Sequence, residues 1–194
     1  IGVSMDGLGY GDDGVLWGGE VLVCDLEGYR RVAHLEALPL PGGALAIRRP
    51  WRTALGWVVA ALGPTGLERA LSLLARPGPA GERPPDEEAV AALVRQVETR
   101  TNAPLTTSCG RLFDAVAALT GICLKNSFEG QAAMMLEQAA DENEAGSYCF
   151  GIRDSEPGIP RGGVDPLFEI DFVPTIAAVA DDADLHVRVA DRER

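Results

Sequence analysis

The sequence predicts an α/β fold that opens with a three-stranded antiparallel β-meander and continues into helices. Three observations carry this expectation. Residues 1–43 alternate short apolar runs with glycine-rich turns, the pattern of hairpin-linked strands. Residues 44–140 change to helical apolar spacing, punctuated by proline, serine and glycine. At 194 residues and 46% apolar content, the chain has enough material for a sizeable core in one domain or two small lobes.

The elements follow in order. Ile1 to Met5 is a short strand rich in β-branched residues, and residues 7–14 form a turn with glycine at 7, 9, 11 and 14. Val15 to Leu26 is a second strand, Glu27 and Gly28 a tight turn, and Tyr29 to Leu38 a third strand. Pro39, Pro41, Gly42 and Gly43 end this segment. Pro50 suits the first turn of a helix over Trp51 to Leu62, and Leu67 to Leu74 is a second helix. Arg76 to Pro85, dense in proline and glycine, is a surface loop. Asp86 to Arg100 is a helix with acids in its first turn, where they complement the helix dipole. Ser108 caps a helix from about Gly110 to Leu119, closed by Gly121. Ser127 and Gly130 open another that runs to about Ala140. Residues 141–194 are mixed: strands over Ser147 to Arg153 and Leu167 to Phe172, then a helix beginning at Pro174 to Val179. Asp181 to Arg194 is a polar run without a stop signal, and the first residue already opens a strand, so the chain is expected to be incomplete at both ends.

Composition excludes some functions. A net charge of −12 with scattered basic residues argues against nucleic acid as a partner, because a polyanion needs clustered Lys and Arg. The longest apolar stretch, around Leu55 to Leu62, is too short to span a bilayer. Cys24, Cys109, Cys123 and Cys149 form no CxxC pair; they are expected to be buried free thiols of a cytoplasmic protein.

The chemistry concentrates in four segments. MDGLGYGDDGVLWGGE, LPLPGGALAIRRPWRTAL, NAPLTTSCGRLFDAVAALTGIC and SFEGQAAMMLEQAA occur in this order. Together they resemble the HypF carbamoyltransferase family of nickel–iron hydrogenase maturation, in the central part of its C-terminal, TsaD-like domain. The resemblance covers roughly residues 1–140 and thins beyond Asp141. It implies an actin-like ATPase type of lobe. It also implies a reaction in which carbamoyl phosphate and ATP give carbamoyladenylate. The carbamoyl group then passes to the C-terminal cysteine thiol of a HypE-type acceptor. A divalent metal, iron or zinc, is implied too, held by an HxxxH pair and by aspartates. Only Asp6 matches that metal site here; His34 and His186 do not form an HxxxH pair, and the family's GGVxxN and DGG motifs are absent. The isolated chain is therefore expected to be inactive alone. The alternatives are a non-catalytic nucleotide-binding or scaffold lobe, or an antibiotic O-carbamoyltransferase of the same superfamily.

The site residues each have a plain structural reading beside the functional one. Asp6 is the metal candidate; otherwise it caps its own turn. Gly7, Gly9 and Gly11 present bare backbone N–H groups to a phosphate, or serve only as a glycine hairpin. Gly110 and Asp114 lie one turn apart at a capped helix start, and the resemblance implies contact with the nucleotide. Glu129 and Gly130 open the next helix, where Glu129 orients a nucleotide or complements the dipole. Cys109 is read as structural, since a reactive thiol needs a base or cation beside it.

Overall fold

A computed structural model describes residues 1–75, 81, 83–154 and 167–192. The strands are β1 (Gly2–Tyr10), β2 (Leu16–Cys24), β3 (Tyr29–Leu35), β4 (Leu38–Pro39), β5 (Leu105–Thr106), β6 (Gly151–Asp154) and β7 (Phe168–Asp171). The helices are α1 (Ala44–Arg48), α2 (Pro50–Leu74), α3 (Glu87–Thr99), α4 (Cys109–Leu119), α5 (Gln131–Ala139) and α6 (Val173–Arg192). The strands form one mixed sheet in the order β4-β5-β2-β3-β7-β6, with β1 paired to β2 beside this path. The α/β expectation holds. The opening meander is antiparallel, β1 to β2 to β3, while β2 pairs β5 and β3 pairs β7 in parallel.

Several boundaries differ from the sequence reading. Strand β1 runs on to Tyr10, so only Gly11 to Gly14 reverses the chain, and Gly7 and Gly9 sit within a strand. The third strand stops at Leu35, and Leu38–Pro39 pairs separately with β5. The two helices expected over residues 51–74 are both present, the second starting earlier than expected: Gly63, at φ 63° and ψ −152°, breaks the α2 run after Leu62, just before Pro64 with its missing N–H. The expected loop over residues 76–85 lies largely outside the described residues. The polar run from Asp181 is helical up to Arg192, continuing α6. Cys109 and Cys123 are buried as expected, but Cys24 and Cys149 are exposed. Cys24 ends β2 at the far hairpin and Cys149 precedes the edge strand β6; both lie beyond the apolar core.

The core forms where α2, α4 and α6 pack together. Trp57 is its largest fully buried side chain. Its ring lies 5.2 Å from that of Phe172, and its indole N–H donates to the Pro39 carbonyl at 3.0 Å. Apolar burial of this kind is the main force holding the helices to the sheet.

A polar row crosses the sheet. Glu20, His34 and Glu169 occupy neighbouring positions on β2, β3 and β7, each no more than 2% exposed. His34 Nδ1 lies 2.7 Å from the Leu35 carbonyl, so that nitrogen carries the proton. Burial, helped by Arg31, lowers the pKa of the imidazole and keeps it neutral. At the row's end Arg153 reaches Glu36 (2.8 Å), Glu169 (2.7 Å) and Asp171 (2.9 Å). One cation among three acids leaves Glu36 under-compensated. Burial, against the pull of Arg153, raises its carboxyl from 4.5 to about 7. A raised pKa in the folded state makes its contribution fullest below about pH 4.5 and lost as pH rises through 7. Relative to wild type, Glu36→Gln is therefore expected to be more stable at pH 8 than at pH 5 in urea unfolding. An equal difference at the two pH values would remove this role for Glu36.

Candidate functional site

The site begins where β1 departs from regular pairing. Met5 pairs Gly19 and Gly9 pairs Trp17, so Asp6, Gly7 and Leu8 face the single residue Gly18 and bulge outward. Ser108 holds this bulge. Its hydroxyl caps α4 by accepting from the Arg111 N–H at 3.2 Å. The same hydroxyl lies 2.5 Å from the Gly7 carbonyl and 3.1 Å from that of Asp6, donating its one proton to this pair. The approach is too close for side chains. A Cβ on Gly110 would stand 2.8 Å from Gly7 Cα, and one on Gly18 would stand 2.6 Å from the Asp6 carbonyl oxygen.

Helix α4 then presents Gly110, Phe113 and Asp114 to a cleft of about 720 Å³. Asp114 is 2% exposed, and its Oδ2 contacts Arg111 Nε at 2.7 Å. Burial raises its carboxyl to about 6, with Arg111 and Asn126 opposing the rise. The opposite rim is the start of α5. Gly130, in the left-handed region at φ 76°, turns the chain into that helix, whose Ala132 N–H donates to Asn126 Oδ1 at 3.0 Å. Arg48, exposed at the end of α1, and Phe128 complete the walls. The N-termini of α4 and α5 thus both border the cleft, where the positive ends of their dipoles favour an anion.

Six of the eight residues singled out in the sequence meet here: Asp6, Gly7, Gly110, Asp114, Glu129 and Gly130. Gly9 and Gly11 lie outside the cleft. Gly11 is buried, and a Cβ there would sit 2.1 Å from the Trp17 indole nitrogen, so its missing side chain makes room for that ring. Cys109 borders the cleft, but burial raises its thiol pKa and keeps it protonated. Sequence reasoning missed Arg48, Phe113, Asn126 and Phe128. The available signal was the polar turn Lys125-Asn126-Ser127 between two helices, an arrangement that usually serves backbone groups.

Asp6 is exposed at the rim, and its Oδ1 accepts from the Gly7 N–H at 2.6 Å. Among the described residues no group of three or more His, Cys, Asp or Glu is arranged to hold a metal. The described residues therefore do not by themselves make a complete metal site. Among the same residues no helix is long and apolar enough to cross a membrane.

Residues 2–193 match the family described as "Carbamoyltransferase, Kae1-like Domain, second subdomain". The chain is 46% identical to Carbamoyltransferase HypF of Rhodobacter capsulatus, over 87% of this chain and 20% of that protein. It is 39% identical to Carbamoyltransferase HypF2 of Cupriavidus necator, over 84% of this chain and 19% of that protein. Among solved structures, a full-length HypF in its phosphate- and nucleotide-bound form superposes with a TM-score of 0.71 at 34% identity. That match covers 94% of this chain and 21% of the other. The chain thus spans about a fifth of the length of these relatives.

Proposed function

The chain belongs to the HypF carbamoyltransferase family, and from that premise we propose that its cleft is the nucleotide-facing side of a carbamoyl-transfer site. The observation that carries this is the convergence of two helix N-termini, α4 and α5, on one cleft with Arg48 at its wall. Such an arrangement suits the phosphate of a nucleotide. Phe113 and Phe128 offer apolar faces for a base, and the Asp114 carboxylate suits a ribose hydroxyl.

The substrate in this reading is carbamoyladenylate, made from carbamoyl phosphate and ATP. The thiolate of a HypE-type acceptor attacks the carbamoyl carbon. A carbon–sulfur bond forms as the bond to the AMP phosphate oxygen breaks, and AMP leaves with the electron pair. Backbone N–H groups at the α4 start and Arg48 stabilise the charge on the leaving phosphate. The buried, protonated Cys109 is not the acceptor. A divalent metal, iron or zinc, would take Asp6 as one ligand and needs the rest from outside the described residues, so no step is assigned to it.

Two measurements test the reading. By calorimetry the chain is expected to bind ATP, and Asp114→Asn, which keeps the shape and removes the charge, to weaken binding about tenfold, the loss of one charged hydrogen bond. No binding by the unaltered chain, or equal affinity in the variant, overturns the nucleotide assignment. The isolated chain is expected not to transfer carbamoyl groups. In a longer polypeptide that completes the site, Asp6→Ala is expected to lower metal content and abolish transfer to a thiol acceptor. Normal metal content and rate there would remove Asp6 from the site.

A further inference from the structure

We infer that Asn126 is the positioning residue of this cleft: one side-chain amide orients the Asp114 carboxylate and ties α1 and the start of α5 to it. Its Nδ2 donates to the Ile47 carbonyl at 2.9 Å and to Asp114 Oδ1 at 3.3 Å. Its Oδ1 accepts from the Ala132 N–H of α5 at 3.0 Å and from the Cys123 thiol at 3.5 Å. The Asn126 backbone N–H donates to the Arg48 carbonyl at 3.0 Å. Both amide hydrogens are engaged and the oxygen accepts from the Ala132 N–H, which fixes the orientation of the amide; the Cys123 thiol shares its one proton between this oxygen and the Lys125 carbonyl at 3.4 Å. Three elements that wall the cleft thus share one short side chain.

Neither aspartate nor alanine satisfies all of these partners. Aspartate would set a second carboxylate against the Ile47 carbonyl and Asp114, two acceptors with no donor between them. Alanine would leave the Ala132 N–H and one Asp114 oxygen without their partner. The hydrogen bond from Asn126 lowers the Asp114 pKa against the rise from burial. The other charged groups at this carboxylate's cleft are Arg111 on its own helix, Arg48 from α1, Asp6 from the β1 bulge and Glu129 at the α5 start. Arg111 contacts the other oxygen, Oδ2, so Asn126 is the partner that fixes Oδ1.

The inference rests on the nucleotide reading for its functional consequence, and the test separates the two. Carbon-13 NMR of the labelled carboxyl groups follows the Asp114 titration directly, without ligand. Wild type is expected to titrate near pH 6, and Asn126→Asp and Asn126→Ala to titrate about one pH unit higher, the scale of one lost charge-assisted hydrogen bond. ATP affinity measured across pH is expected to show its midpoint moving by the same amount. Asn126→Ala carries the test if Asn126→Asp fails to fold by near-ultraviolet circular dichroism. An unmoved Asp114 titration in a folded variant overturns the inference. A moved titration with no ATP binding by wild type upholds the orienting role and overturns the nucleotide reading instead.

Discussion

Arg31→Ala is expected to lower the unfolding free energy by about 3–5 kcal/mol, the scale for removing one partner from a buried charge group. Arg31 is 6% exposed; its Nε donates to Glu20 at 2.5 Å and its Nη1 to Asp13 at 2.8 Å. Its guanidinium also lies 4.3 Å from the Trp17 ring centroid. Without it, Glu20 and Asp13 remain as buried carboxylates with no counter-charge. Glu20 cannot move away, because its Oε1 accepts from the Gly18 and Gly19 N–H groups at 3.1 and 3.2 Å and from the Thr107 hydroxyl at 2.5 Å. Arg31→Lys is expected to recover part of the loss, since a single ammonium cannot span both acids as the planar fork does. Neutralising Asp13, Glu20 and Arg31 together is expected to cost less than Arg31→Ala alone, because no charge is then left unpaired. Urea unfolding measures all three; a loss below about 1 kcal/mol for Arg31→Ala would place this group among weak surface pairs.

This charge group shows where the sequence stops being legible. Helix α4 was readable because its signals are local: Ser108 accepts from the N–H three residues on, and Gly121 takes the left-handed turn after the helix at φ 73°. Asp86 marks the start of α3 in the same way, by accepting from the Ala89 N–H, and Gly130 marks that of α5 by its left-handed φ of 76°. Asp13, Glu20 and Arg31 gave no such signal, because what joins them is the register of β2 on β3 and the packing of the Trp17 indole. The site divides along the same line. Gly110 and Asp114 share one helix face by spacing alone. Arg48 and Asn126 reach the cleft only through contacts about 80 residues apart in sequence, such as that of Asn126 with Ile47. The glycines are visible in the sequence, but their roles are not. Glycine density makes Gly7 and Gly9 part of a chain reversal, whereas the structure has them within an irregular strand. At Gly11, Gly18 and Gly110 the absent side chain makes room for a close approach, which no single-sequence pattern distinguishes from a turn.

Two of these glycines separate packing from ligand approach. In Gly110→Ala the new Cβ would meet Gly7 Cα at 2.8 Å and the Asp6 carbonyl oxygen at 3.4 Å, both backbone atoms. Helix α4 cannot retreat, since Ala115, Ala118 and Leu119 on it are buried in the core. The β1 bulge must move instead, stretching the Ser108 bonds to Asp6 and Gly7. The expected cost is about 1–3 kcal/mol of stability, the range for overpacking. ATP affinity is expected to fall by more than tenfold, because the rim carrying Asp6 shifts relative to Asp114. At Gly7 the same substitution meets no atom within 4 Å. Gly7→Ala is therefore expected to leave stability within about 0.5 kcal/mol, as at an unconstrained position. If bare backbone at Gly7 faces the phosphate, the added methyl lowers ATP affinity while stability holds. Equal affinities in Gly7→Ala and wild type would show that the ligand keeps clear of the bulge, leaving the α4 and α5 starts to hold the anion.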